Sequence, residues 1–132
     1  MKKLIASASI ALLAVSSSLA GSYTWTGGGD TSDWTDKANW GNVGSPNAGD
    51  TAVFSGSVTV AAPIAISEGT LTVDVADGKS VSLTGLISGA GGITKAGKGK
   101  LYLKNKLNEY TGKTSSAKNG GTLLFASIAN IG

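Results

Sequence analysis

Asp30, Asp33 and Asp36 stand three residues apart, and Asp50 follows in the same glycine-rich neighbourhood. Four carboxylates placed so admit two chemistries. They could gather oxygens around a hard cation such as calcium, or work with a lysine as acid and base on a polysaccharide. Neither pattern is complete. The spacing is not that of an EF-hand loop, and Gly27-Gly28-Gly29-Asp30 does not match the calcium-binding nonapeptide of β-rolls. Aspartate among glycines ordinarily accepts hydrogen bonds from its own backbone. The expectation is therefore no metal, no cofactor and no catalytic residue.

Composition removes most other chemistry. The 132 residues contain no histidine and no cysteine, and all eleven basic residues are lysine. A Ser-His-Asp triad, a histidine-ligated zinc, a cysteine nucleophile and an arginine clamp are all excluded. Gly112-Lys113-Thr114 ends like a phosphate loop, but Leu107 stands where that loop needs its first glycine. The formal charge of +3 includes Lys2 and Lys3, and falls to +1 without them. Such a balance does not call for nucleic acid.

Two groups of residues point instead to binding. Trp25, Trp34 and Trp40, the only tryptophans, fall within sixteen residues. They are either a carbohydrate platform or the aromatic cover of an otherwise wet apolar end, and the cover is the preferred reading. Lys95, Lys98, Lys100, Lys104, Lys106, Lys113 and Lys118 make the second half basic, with Tyr102 and Tyr110 interleaved. They could hold an anionic polysaccharide or a nucleic acid. The preferred reading is a solvated outer face on which lysines discourage strand-to-strand association.

The elements that must position these groups are short strands. Val58 and Val60 alternate with Ser57 and Thr59, Leu71, Val73 and Val75 with Thr70, Thr72 and Asp74, and Val81 and Leu83 with Ser80 and Ser82. Leu101 and Leu103 alternate with Lys100, Tyr102 and Lys104. A period of two places each apolar set on one face of a strand. Asp77-Gly78 between two such runs would suit a hairpin, so a β-sandwich competes with a solenoid. Spacing favours the solenoid: Val81, Leu101 and Leu123 recur about every 20 residues, the scale of stacked coils. No long helix is expected beyond residue 20.

Residues 1–20 read as a secretory signal peptide, with Lys2 and Lys3 ahead of an apolar run from Leu4 to Val15 and Ser18-Leu19-Ala20 as cleavage site. That run is short of the ~18 residues needed to span a bilayer. Residues 21–56 read as a Trp/Gly-rich N-terminal capping segment, and 57–132 as solenoid coils. The apolar ending from Thr122 to Gly132 lacks a polar closing segment. It suggests an incomplete N-terminal fragment, or a chain whose next coil comes from elsewhere.

The string GAGGITKAGKGKLYL, then Asn108-Glu109-Tyr110-Thr111-Gly112, then Asn119-Gly120-Gly121-Thr122-Leu123, resembles the autotransporter-associated β-strand repeat of secreted bacterial passenger domains. The resemblance covers residues 86–126. Trp25-x-Gly27, Trp34, Asn39-Trp40 and Gly49-Asp50-x-x-Val53-Phe54 are similar to the segment preceding the repeats in many such passengers. The resemblance implies an all-β, right-handed parallel β-helix, exported and displayed at the outer-membrane surface as a non-enzymatic, adhesin-like stalk. It implies further repeats and a translocator barrel as partners in a longer chain, with surface polysaccharide or a host ligand as possible targets and no membrane contact by this segment. The alternatives are a carbohydrate-binding β-sandwich module using Trp25, Trp34 and Trp40, and, more weakly, a truncated β-helix polysaccharide lyase.

Overall fold

The structure is a computed structural model that describes residues 20–127. The expected signal peptide, apart from Ala20, and the final residues 128–132 lie outside the described residues. Among the described residues, eleven strands and one turn of 3-10 helix (Lys37–Trp40) make up the regular structure. The strands are β1 (Ser22–Thr24), β2 (Thr51–Phe54), β3 (Val58–Val60), β4 (Ile64–Ala65), β5 (Thr70–Val75), β6 (Ser80–Leu83), β7 (Ile87–Ser88), β8 (Gly92–Ala96), β9 (Lys100–Leu103), β10 (Thr114–Ser116) and β11 (Thr122–Phe125).

Every strand pairing is parallel. One sheet runs β1-β2-β5-β8-β10, a second β11-β9-β6-β3, and a short third β4-β7. The chain therefore visits the sheets in turn and returns to each one rung higher, as a β-solenoid of about three turns. The hairpin alternative fails on this point: β5 and β6, joined through Asp77-Gly78, lie in different sheets. With no antiparallel pair among the described strands, the sandwich is replaced by stacked coils.

Register decides what fills the interior. In the second sheet Val58 stands beside Val81, Val81 beside Leu101 and Leu101 beside Leu123. Val60, Leu83, Leu103 and Phe125 form the neighbouring column. Ala52 and Val73, Phe54 and Val75, and Leu71 and Ile93 stack in the first sheet, with Ile64 over Ile87 in the third. These residues are buried except at the two ends of the second sheet: Val58 is half-buried at the β3 end, and at the β11 end Phe125 is 39% exposed with no strand beyond it among the described residues. The alternation read from sequence thus becomes a continuous dry column. On the outer face Thr51, Thr72, Thr94 and Ser115 form a parallel ladder, closed by a 3.0 Å bond between the Thr94 and Ser115 hydroxyls.

Two coils can approach this closely only where side chains are missing. A Cβ on Gly112 would run into the Gly91–Gly92 backbone, and one on Gly92 into the Lys113 carbonyl. The glycines of GAGGITKAG are thus spacing requirements between rungs. On the third side, the loop after β9 carries Asn108, buried, whose Oδ1 accepts from the Ile87 N–H at 2.9 Å. The equivalent Ile64 N–H of the coil below donates to a main-chain oxygen, that of Leu86. Here a side-chain amide stands in for the ladder.

Leu101 sits mid-column and fully buried. Leu101→Ala is expected to cost about 2–5 kcal/mol, as cavity-forming core truncations do, read as a lowered urea midpoint with the parallel-sheet circular dichroism spectrum retained in buffer.

Candidate functional site

The segment between β1 and β2 is built around Asn39, which is wholly buried. Its Oδ1 accepts from the Gly29 N–H at 3.0 Å, and its Nδ2 donates to the carbonyls of Asp30 and Asp33. One side chain thereby gathers a turn-rich segment with almost no ladder of its own. Asp36 caps the 3-10 turn by accepting from the Ala38 N–H and reaches back to the Asp30 N–H. Asp30 accepts from the Ser32 N–H and hydroxyl, and Asp33 from the same pair on Thr35. Asp50 accepts from the Gly21 and Asn47 N–H groups.

The Ser32 backbone and hydroxyl hold the Asp30 carboxyl below its usual range. The Asp30 and Ala38 N–H groups do the same for Asp36. All four carboxylates are thus occupied with backbone donors. No group of three or more potential metal-ligating side chains converges among the described residues.

The three tryptophans differ in what covers them. Trp34 is 2% and Trp40 1% exposed. Both pack on Phe54, and their rings meet edge-on at 4.8 Å. Both indole N–H groups are consumed internally, Trp34 by the Pro46 carbonyl and Trp40 by the Trp34 carbonyl. Neither can present a face to a sugar, so the three-tryptophan platform is corrected to one residue. Trp25 is half-buried, stacked on Phe54 at 5.6 Å and meeting Trp40 edge-to-face at 4.9 Å. Its Nε1–H has no acceptor among the described residues, and the ring borders an open depression.

Trp25 lines a depression of about 570 Å³. Gly27 and Thr31 continue its wall, and Ser55 and Ser57 from the β2–β3 turn, with Val58 at the start of β3, form the other side. A second depression, about 260 Å³, lies between the turns that carry Lys79, Lys98 and Lys100 beside Asp77. Lys104 stands 5.2 Å from the centre of the Tyr102 ring on the outer face, beside exposed Leu124.

The basic face needs two corrections. Lys98, Lys100, Lys104, Lys106, Lys113 and Lys118 are exposed, but Lys95 is fully buried. It points inward in the column of Ala52 and Val73. An ammonium group has three donors, and all are used: on the carbonyls of Ala96, Gly97 at 2.8 Å, and Gly120 at 2.8 Å in the turn one coil on. Tyr110 is also inside rather than interleaved with lysines, its hydroxyl 2.6 Å from that of Thr114. Sequence reasoning missed Asn39, Lys95 and Asn108. The inward parity of Lys95, two residues after Ile93 in the same strand, was the available signal. No protein-family model, curated protein or solved structure matches this chain.

Burial pushes the Lys95 pKa below 10.5, with Asp74 opposing the shift in part. Between the lowered folded value and 10.5 the unfolded chain binds more protons, so this group makes stability rise with pH. Tyr110 acts oppositely: burial raises its pKa above 10.0, and its contribution is lost as pH rises past that point. The difference between wild type and Lys95→Met cancels the tyrosine. In urea titrations, the wild type is expected to gain on the variant as pH climbs towards 10.5. Trp40→Ala is expected to lower stability by about 3–5 kcal/mol, measured by thermal melting, since it empties the centre of the aromatic cluster and frees the Trp34 carbonyl.

Proposed function

We propose that this chain is an exported, non-enzymatic structural segment, a β-solenoid stalk displayed at a bacterial cell surface in the manner of an autotransporter passenger. The observation that supports the reading is positional. The blocks that resemble the β-strand repeat fall on successive coils: GITKA on β8 and KLYL on β9 lie in neighbouring sheets of one coil, and TLLF on β11 stacks on KLYL in the next. A repeat whose blocks become rungs extends a rod by adding coils, each offering the next the same backbone edge.

The segment around Trp34 and Trp40 acts in this reading as a lid at the β1 end. Its contacts suit that role: Trp25 N–H donates to the Val53 carbonyl, and the Ala61 and Ala62 N–H groups both donate to the Ser32 carbonyl. The Ala61 and Ala62 bonds occupy donors of the first coil that have no rung below them, and the Trp25 bond carries the β1–β2 pairing on into the lid. Further coils and a translocator barrel, carried by a longer chain, are the partners this function requires. Adhesion or presentation of a more distant domain is its use.

Antibodies raised against residues 57–127 are expected to label intact cells that express the chain, and deletion of residues 2–20 to abolish the labelling. Labelling that appears only after the cells are permeabilised would overturn surface display.

A further inference from the structure

We infer that the depression beside Trp25 is a binding site for a neutral carbohydrate, a reading that goes beyond the stalk function and does not depend on it. Of the three indoles, only that of Trp25 has an N–H without an acceptor among the described residues, while those of Trp34 and Trp40 are spent on protein carbonyls. Phe54 and Trp40 fix the ring from behind, so its open edge is held rigidly without a ligand. Preorganisation of this kind removes part of the ordering cost of binding.

The surroundings select the ligand. Gly27, at φ +67°, lies beside the Trp25 Nε1, and even a Cβ there would stand 3.5 Å from it. Any longer side chain would cover the donor. Thr31 and Ser55 are exposed across the depression, and their hydroxyls have no partner among the described residues. The Thr26 hydroxyl, by contrast, donates to the Ala38 carbonyl, and the Ser57 oxygen accepts from the Ser80 N–H. Two free hydroxyls and an indole N–H, set beside apolar ring edge and the half-buried Val58, suit a molecule with alternating C–H and O–H groups.

No charged residue lines the depression. Nothing there offsets the desolvation of a carboxylate, sulfate or phosphate, which sets this site apart from the groove lined by Lys79, Lys98 and Lys100. The volume, about 570 Å³, falls within the usual range for small-ligand sites and has room for one or two sugar rings.

The test uses the full chain, purified after export, with cellohexaose, maltohexaose and chitohexaose as neutral probes and heparin as the anionic one. At least one neutral hexasaccharide is expected to bind with a Kd of roughly 0.1–10 mM, as modest, partly solvated sites do. Binding should shift tryptophan emission and be unchanged by salt. Trp25→Phe, which keeps a ring on Phe54 but deletes the N–H, should weaken it about tenfold, the equivalent of one lost hydrogen bond. Ser55→Leu, placed on an exposed turn, should abolish binding by filling the depression while the melting temperature stays unchanged. The inference is overturned if no neutral probe binds, if binding survives Ser55→Leu, or if only heparin is retained and only at low salt.

Discussion

A strand in a parallel coil cannot satisfy its own backbone. Its N–H and C=O groups point along the stack, and each must find the coil above or below. This single requirement fixes the vertical register, and the register fixes the interior. Once Val81 is bonded beside Leu101, and Leu101 beside Leu123, their side chains have the same parity and share one face. A slip of one residue would turn every leucine outward. Backbone pairing and hydrophobic burial therefore enforce the same arrangement, and neither could specify it as well alone.

Where the ladder fails, polar side chains take its place, and each does so in a position that burial would otherwise penalise. Asn108 accepts the Ile87 N–H on the side of the coil that carries the loop after β9. Lys95 satisfies three carbonyls around two successive turns. Asn39 closes the turns between β1 and β2, which have no neighbouring strands to hold them. An unpaired carbonyl in such places would cost about 1–3 kcal/mol, so a buried lysine is tolerable here because it meets several at once. The cost of its charge shows in its lowered pKa.

How far the sequence could be read follows from the same division. Leu101 and Leu103 alternating with Lys100 and Tyr102 declared a strand and its inward face, and the interval from Val81 to Leu101 to Leu123 declared stacking. Both depend on local pattern. The sandwich stayed open because Asp77-Gly78 makes a sound hairpin turn, and only pairing across 20 or more residues separates β5 from β6. Lysine is usually exposed, yet the parity of Lys95 with Ile93 points it inward. What makes its burial acceptable, the Gly120 carbonyl, lies 25 residues away. The three tryptophans were indistinguishable for a related reason. Which indole keeps a free N–H depends on where the Pro46 and Trp34 carbonyls fall, and no spacing in the sequence reveals that.

The same constraint says where chemistry can reside on such a rod. Inward positions answer to the coils on either side, so a change at Val73 or Leu83 is felt along the column. The turns are less constrained, although the Ser57 oxygen still accepts from the Ser80 N–H of the next coil. Ser55, Gly56 and Ser57 join β2 to β3 without supplying any rung, and Lys98 and Lys79 occupy corresponding corners higher up. Side chains there can vary in charge and size while the ladder beneath them stays intact. Trp25 is informative because it belongs to both regimes: its ring is pinned by the aromatic cluster, and its donor edge opens onto a turn. A rigid group facing a variable wall is what a recognition site needs from its scaffold, and the solenoid provides that combination at its corners rather than along its faces.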